Sequence, residues 1–128
     1  MEKRTEFKIL LPNEPGQLAR VAEALGNRQI NIITIAAIGV ANPQVVLVTV
    51  QEDETREILK ELDLSFQEAE LLSVKMPNVP GELGIFAKKL ADANINIESM
   101  YLLEESFGEV RIGFTVDDLD KAKQELGL

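Results

Sequence analysis

The sequence predicts an α+β protein built from two tandem βαββα units, each an antiparallel sheet with its helices on one face. Three observations predict it. The word Pro12-Asn13-Glu14-Pro15-Gly16-Gln17-Leu18 returns as Pro77-Asn78-Val79-Pro80-Gly81-Glu82-Leu83, an offset of 65 (77 − 12). A second word, Ile30-Asn31-Ile32, returns as Ile95-Asn96-Ile97 at the same offset. In both copies the apolar residues also switch between period two and period 3.6 in the same order, as a duplicated unit requires. Beyond these words the copies drift: Thr49-Val50 matches Thr115-Val116 at an offset of 66, and Glu61-Leu62 matches Glu125-Leu126 at 64. The units are drawn as residues 1–70 and 71–128.

The elements follow in order. Phe7, Ile9 and Leu11 alternate, as do Leu72, Val74 and Met76, which marks a half-buried first strand in each copy. Leu18, Val21, Ala22 and Leu25 then recur at i, i+3, i+4 and i+7, matched by Leu83, Phe86, Ala87 and Leu90, so each set shares one helical face. A second strand opens near Ile30 and Ile95. Turn residues follow at 39–43 and 104–108, and third strands at 45–50 and 110–116. Acidic runs open the second helices, Glu52-Asp53-Glu54 and Asp117-Asp118, whose apolar positions are Ile58, Leu59 and Leu62, then Leu119, Ala122 and Leu126. This order is the ferredoxin-like, split-βαβ plan, which ends in a fourth strand. Residues 65–70 can supply it in the first copy. With no Gly or Pro before 71–76, the link is either a tight bend or one long strand. The second copy lacks its last strand, which leaves a sheet edge open to pairing. The third strand of the first copy, residues 45–50, is apolar on both faces, so its outer face is expected to be covered by a partner chain.

Composition excludes several functions. A formal charge of −9 opposes sequence-independent nucleic-acid binding and docking on an anionic membrane. The absence of Cys and His removes disulfides, thiolate chemistry, His-based triads and zinc hydrolysis. Glu104-Glu105 and Asp117, Asp118 and Asp120 read as solvated or helix-capping carboxylates, since adjacent strand residues diverge and a helix start favours negative charge. Tyr101, the single tyrosine, reads as a packing residue. No signal peptide, membrane span, metal or cofactor is expected, and the default location is the cytoplasm.

The repeated Pro-Gly word is where chemistry can reside. Asn is a good helix cap and Pro suits a first helical turn, so the word has a purely structural reading. A Gly kept twice near a helix start, however, suggests that a Cβ there would obstruct a neighbouring backbone or a ligand. Free amides and the positive dipole end at that point suit a carboxylate. Asn13 and Asn78 offer both donor and acceptor. The start of the second strand, expected beside the loop, would bring carbonyls of residues 31–33 and 96–98 to an ammonium.

A strand ending in Asn-x-Pro-Gly-x-Leu, an amphipathic helix and then Asn94-Ile95-Asn96-Ile97 resembles the ACT domain family. The first copy, Gln29-Ile30-Asn31-Ile32, departs at its first residue. The resemblance covers nearly the whole chain, twice. It implies βαββαβ folds and a regulatory, non-enzymatic role in amino-acid metabolism, with amino acids held between the Pro-Gly loop of one unit and the second strand of its neighbour. Carried over, the ligand-binding residues are Asn13, Glu14, Pro15, Gly16 and Leu18 with Asn96 and Ile97, and Asn78, Val79, Pro80, Gly81 and Leu83 with Asn31 and Ile32. It further implies a small amino acid or related carboxylate as ligand, a homo-oligomer such as a dimer, and a metabolic enzyme as the regulated partner. The loops differ at Glu14 against Val79 and Gln17 against Glu82, so one site can bind while the other is vestigial.

Three other readings compete. An enzyme would have to work without His or Cys, by carboxylate, Lys, Ser, Thr or Tyr chemistry, and no loop holds an Arg beside a nucleophile; fold alone decides nothing. An RNA-binding sheet needs surface aromatics on its middle strands, where only Phe114 stands. An assembly module of the same fold, acting through protein contacts with no ligand, is the nearest rival.

Overall fold

The computed structural model describes residues 3–128. They divide into two compact units, Arg4–Ala69 and Glu70–Leu128, with Lys3 belonging to the second. The N-terminal unit comprises β1 (Arg4–Leu10), α1 (Gln17–Asn27), β2 (Ile32–Ile38), β3 (Gln44–Thr49), α2 (Glu52–Glu61) and the first residues of β4 (Phe66–Pro77). Its strands lie in the order β2-β3-β1-β4. Alternation sends Phe7, Ile9, Val45 and Leu47 to the helix side, where they bury against Val21 and Leu25 of α1 and Ile58 and Leu59 of α2. Each such side chain contributes about 1.5–3 kcal/mol by leaving water. Phe66 joins them, its ring 6.0 Å from that of Phe7.

The fourth strand of this unit is supplied as expected. The Leu10 N–H donates to the Ser65 carbonyl at 3.0 Å. Between the two links left open by the sequence, the long strand is the one formed: β4 runs 12 residues without a break. On the opposite sheet face Val46 and Val48 are buried, while Leu10 and Ile38 are exposed.

The C-terminal unit comprises the remainder of β4, α3 (Glu82–Asp92), β5 (Ile97–Ser106), β6 (Glu109–Val116) and α4 (Leu119–Leu126), with strand order β4-β6-β5. Leu72, Met76, Phe86, Leu90, Phe114 and Ala122 form its core. Phe86 and Phe114 meet edge to face with centroids 5.1 Å apart, the arrangement aromatic quadrupoles favour. β5 runs to Ser106, further than the turn expected at 104–108. The reversal needs only Phe107 and Gly108, both at positive φ (49° and 78°), the signature of a type I′ hairpin.

All four helices stop in one way. After α1, Gln29 takes φ +57°, its N–H donates to Gly26 O, and the Ile30 N–H reaches back to Leu25 O. Asn94 and Ile95 repeat this on Ala91 and Leu90, Asp63 and Leu64 on Lys60 and Leu59, and Gly127 and Leu128 on Gln124 and Lys123. This is the Schellman motif, which satisfies terminal carbonyls and sets an apolar residue against the last turn. The first two residues of the repeated Asn-Ile word therefore encode a helix stop.

Candidate functional site

The Pro-Gly word folds as a type II turn feeding a helix. The Gln17 N–H donates to Glu14 O at 3.2 Å, and Gly16 sits at φ 91°, ψ −14°. Glu82 and Val79 make the equivalent bond at 3.4 Å, with Gly81 at φ 95°, ψ −21°. Pro15 and Pro80 occupy the second turn position, where their fixed φ is an advantage. Two expectations are corrected. Gly16 and Gly81 are the helix caps and make no side-chain cap bond, so Asn13 and Asn78 do not cap, and the prolines precede the helix. Nor is a Cβ excluded by a neighbour, since nothing lies within 4 Å of one built on either glycine. The left-handed backbone conformation requires the glycine.

This turn leaves amides unpaired. Among the described residues, the N–H groups of Gly16, Leu18 and Ala19, and of Gly81, Leu83 and Gly84, have no acceptor, while the Arg20 and Ile85 N–H groups close the first helical turns on Gly16 O and Gly81 O. Bare donors at the positive end of a helix suit a carboxylate. The two starts differ electrically: α1 has no acidic residue in its first turn, whereas α3 carries Glu82 there.

Both turns lie against their own β-hairpin. The Asn13 side chain is 3.0 Å from the place a Cβ on Gly39 would occupy, so a larger residue at 39 would displace it. The Asn78 N–H donates to Gly108 O at 2.8 Å, and its Nδ2 is 3.5 Å from Glu105 Oε1. Glu14 and Val79 are exposed in the turns, while Leu18 and Leu83 are the exposed apolar residues at the helix starts. Leu10, Ile38 and Val40 are also exposed at this end of the N-terminal unit. Leu10 and Ile38 both pair with Gln44, which makes them neighbours across β3.

The starts of the second strands are elsewhere. Ile32 pairs with Thr49, at the end of β3 opposite Gln44. The 7 residues of β2 therefore separate Ile32 from the turn by about 20 Å. Asn31 hydrogen-bonds at the far end, donating to Gln51 Oε1 at 3.0 Å and accepting from the Val50 N–H at 3.1 Å. Asn96 does the same with Asp117, at 2.9 and 3.1 Å, and Ile97 pairs with Val116. The expectation that loop and strand start adjoin within one unit is thus overturned. A parallel β1–β2 pair with β3 between them puts the end of one beside the end of the other. The Asn31 and Asn96 carbonyls already accept one backbone bond each.

Asp118 caps α4, accepting from the Lys121 N–H at 3.2 Å, and no group of carboxylates among the described residues is placed to hold a metal. Sequence reasoning missed two features. One is a cleft of about 180 Å³ in the C-terminal unit, lined by Lys75, Glu104, Ser106, Phe107, Glu109, Val110 and Arg111. Its only signal was two cations at outward strand positions. The other is Arg56, which lies over the Phe7 ring and grips Glu68 through both carboxylate oxygens at 2.6 and 2.8 Å. That pairing holds the Glu68 carboxyl below its ordinary range.

Fold and turn together define a class. Residues 5–63 match the ACT domain family, and the 128-residue chain fits a tandem pair of ACT domains. Across 96% of its length the chain is also 27% identical to the aspartokinase of Corynebacterium efficiens, and it spans about a third (33%) of that relative. Two solved structures share the fold. A protein of Bacteroides thetaiotaomicron superposes with a TM-score of 0.85 at 22% identity, covering 98% of this chain and 87% of that one. The ligand-free regulatory subunit of aspartate kinase from Thermus thermophilus superposes with a TM-score of 0.68 at 19% identity, covering 98% and 89%. No catalytic family is indicated. Among the described residues, no helix is long and apolar enough to cross a membrane.

Proposed function

We propose that this chain is a non-catalytic regulatory module of the cytoplasm that binds a small amino acid or related carboxylate between ACT units and thereby controls an enzyme of amino-acid metabolism. The observation that carries the reading is the set of bare amides of Gly16, Leu18 and Ala19 at a helix start with no acidic residue in its first turn. The ligand's carboxylate docks on these amides, Glu14 takes its ammonium, and the apolar rim of Leu10, Leu18 and Ile38 receives its side chain. Because the turn and the strand start are far apart within a unit, a partner unit brings Asn96 and Ile97 to the first turn, and Asn31 and Ile32 to the second. Glu82 makes the turn at Asn78–Leu83 the weaker site by repelling a carboxylate. A homodimer supplies further unit pairs. The aspartokinase relative makes an aspartate kinase the first enzyme to test as the regulated partner.

Thermal unfolding of the whole chain in each of the twenty amino acids tests this. A rise in melting temperature with one or a few of them, abolished by Leu18→Asp, is expected. No rise with any at millimolar concentration would overturn the ligand. The rival reading, an assembly module without a ligand, draws on one observation: the Asn13 and Asn78 side chains are engaged with their own hairpins. Under that reading the chain dimerises or binds an enzyme with no amino acid present.

A further inference from the structure

The cleft of the C-terminal unit runs along a row of charges on the sheet face turned away from its helices. Leu72, Val74 and Met76 of β4 pair with Phe114, Ile112 and Val110 of β6, and all of these pack on the helix side. By alternation Lys75 and Arg111 point the other way, and they are direct cross-strand partners. Like charges placed opposite each other destabilise a sheet. Neither side chain has a carboxylate within ion-pair distance among the described residues; Arg111 reaches only Ser73 Oγ, at 3.4 Å. Two adjacent cations, neither of them in an ion pair among the described residues, give an anion a place to bind.

The row continues, since Glu104 of β5 is the register partner of Arg111 on its other side. Lys75, Arg111, Glu104 and Glu109 line one cleft of about 180 Å³, together with Ser106, Phe107 and Val110. That volume is below the roughly 300–1,000 Å³ of drug-sized pockets and fits a small metabolite. Phe107 is fully exposed, at a relative accessibility of 104%, and holds φ +49°, a conformation bulky residues avoid. An aromatic kept both strained and in water at the mouth of a cleft is placed to cover something.

We propose that this cleft is a second site for a free amino acid, separate from the Pro-Gly turns. Lys75 and Arg111 hold the α-carboxylate, Glu104 and Glu109 hold the ammonium, and Phe107 covers an apolar side chain. Two cations, two carboxylates and an aromatic cap match a zwitterion with an apolar tail better than a simple anion. The proposal rests on the amino-acid-binding reading for its regulatory meaning and goes beyond it in location.

Nuclear magnetic resonance of the isotope-labelled full chain, titrated with each of the twenty amino acids and with acetate, tests it. The expected result is a saturable shift of the Lys75 and Arg111 amides and of the Arg111 Nε–H. Lys75→Gln and Arg111→Gln should each weaken that binding at least tenfold, with a preserved spectrum elsewhere reporting an intact fold. Arg111→Lys, which keeps the charge, should lose less and serves if Arg111→Gln unfolds. Phe107→Ala should weaken apolar amino acids more than glycine. Shifts confined to the amides of residues 16–19 and 81–84 would overturn this cleft and leave the proposed function standing; shifts at neither place would overturn both. Acetate binding as tightly as the best amino acid would overturn the assignment to a zwitterion.

Discussion

Gln29 and Asn94 occupy equivalent positions and share a left-handed backbone, at φ 57° and 58°. Asparagine tolerates that conformation better than glutamine, because a longer aliphatic stem gains no local hydrogen bond to offset the crowding at Cβ. Gln29→Gly should therefore stabilise the protein by about 0.5–1 kcal/mol, read as a higher urea midpoint at unchanged slope. A second residue-scale prediction concerns the buried hydroxyl pair. Thr55 Oγ1 donates to Gln51 O at 2.8 Å and lies 2.7 Å from Thr49 Oγ1. Both threonines are fully buried. Thr55→Val strands the Thr49 hydroxyl and should cost about 1–3 kcal/mol. Adding Thr49→Val should then recover part of the loss, which makes the pair non-additive in a double-mutant cycle.

At the scale of elements, one ion pair ties α2 to the start of β4. Arg56 joins Glu68 at 2.6 Å and Asp53 at 2.9 Å. The Glu68 carboxyl is lowered first by its hydrogen bond to Arg56, and the Arg56 guanidinium is raised in turn. A carboxyl whose folded-state pKa is depressed contributes stability that is complete above its ordinary pKa and is lost as pH falls through the folded value. Melting curves from neutral pH down through about pH 5 and below should show the wild type losing stability faster than Glu68→Gln. The gap between the two should narrow as acid is added. A gap that stays constant would show that Glu68 acts by packing alone.

For the whole molecule, a ligand that binds only the folded chain adds RT ln(1 + [L]/Kd), about 2.7 kcal/mol at a hundredfold excess over Kd. The melting temperature in the active amino acid should therefore keep climbing with the logarithm of its concentration. A rise that levels off at a low plateau would instead mark ligand binding to the unfolded chain as well.

Much of this was legible in the residues. The duplicated words, the i, i+3, i+4 spacing around Val21 and Phe86, and the alternation through Phe7 and Leu72 carry local periodicity, and periodicity survives without knowledge of neighbours. The ACT resemblance was legible for the same reason. Less was legible about what each word does. Gly16 looked like a close approach of a neighbouring backbone or a ligand, and its left-handed backbone conformation requires glycine with no neighbouring backbone near. Ile30 and Ile95 looked like strand starts and proved to close helices. Asn31 looked like a neighbour of Asn13 and lies at the other end of the sheet. The sequence by itself determined the repeat, the element order and the chemistry excluded by absent Cys and His, because these depend on residue identity and spacing along the chain. Only the tertiary structure decided which ends of the strands adjoin, which amides stay bare, and that Lys75, Arg111 and Glu104 share a row. Strand register sets those distances, and register arises from pairing between segments far apart in sequence.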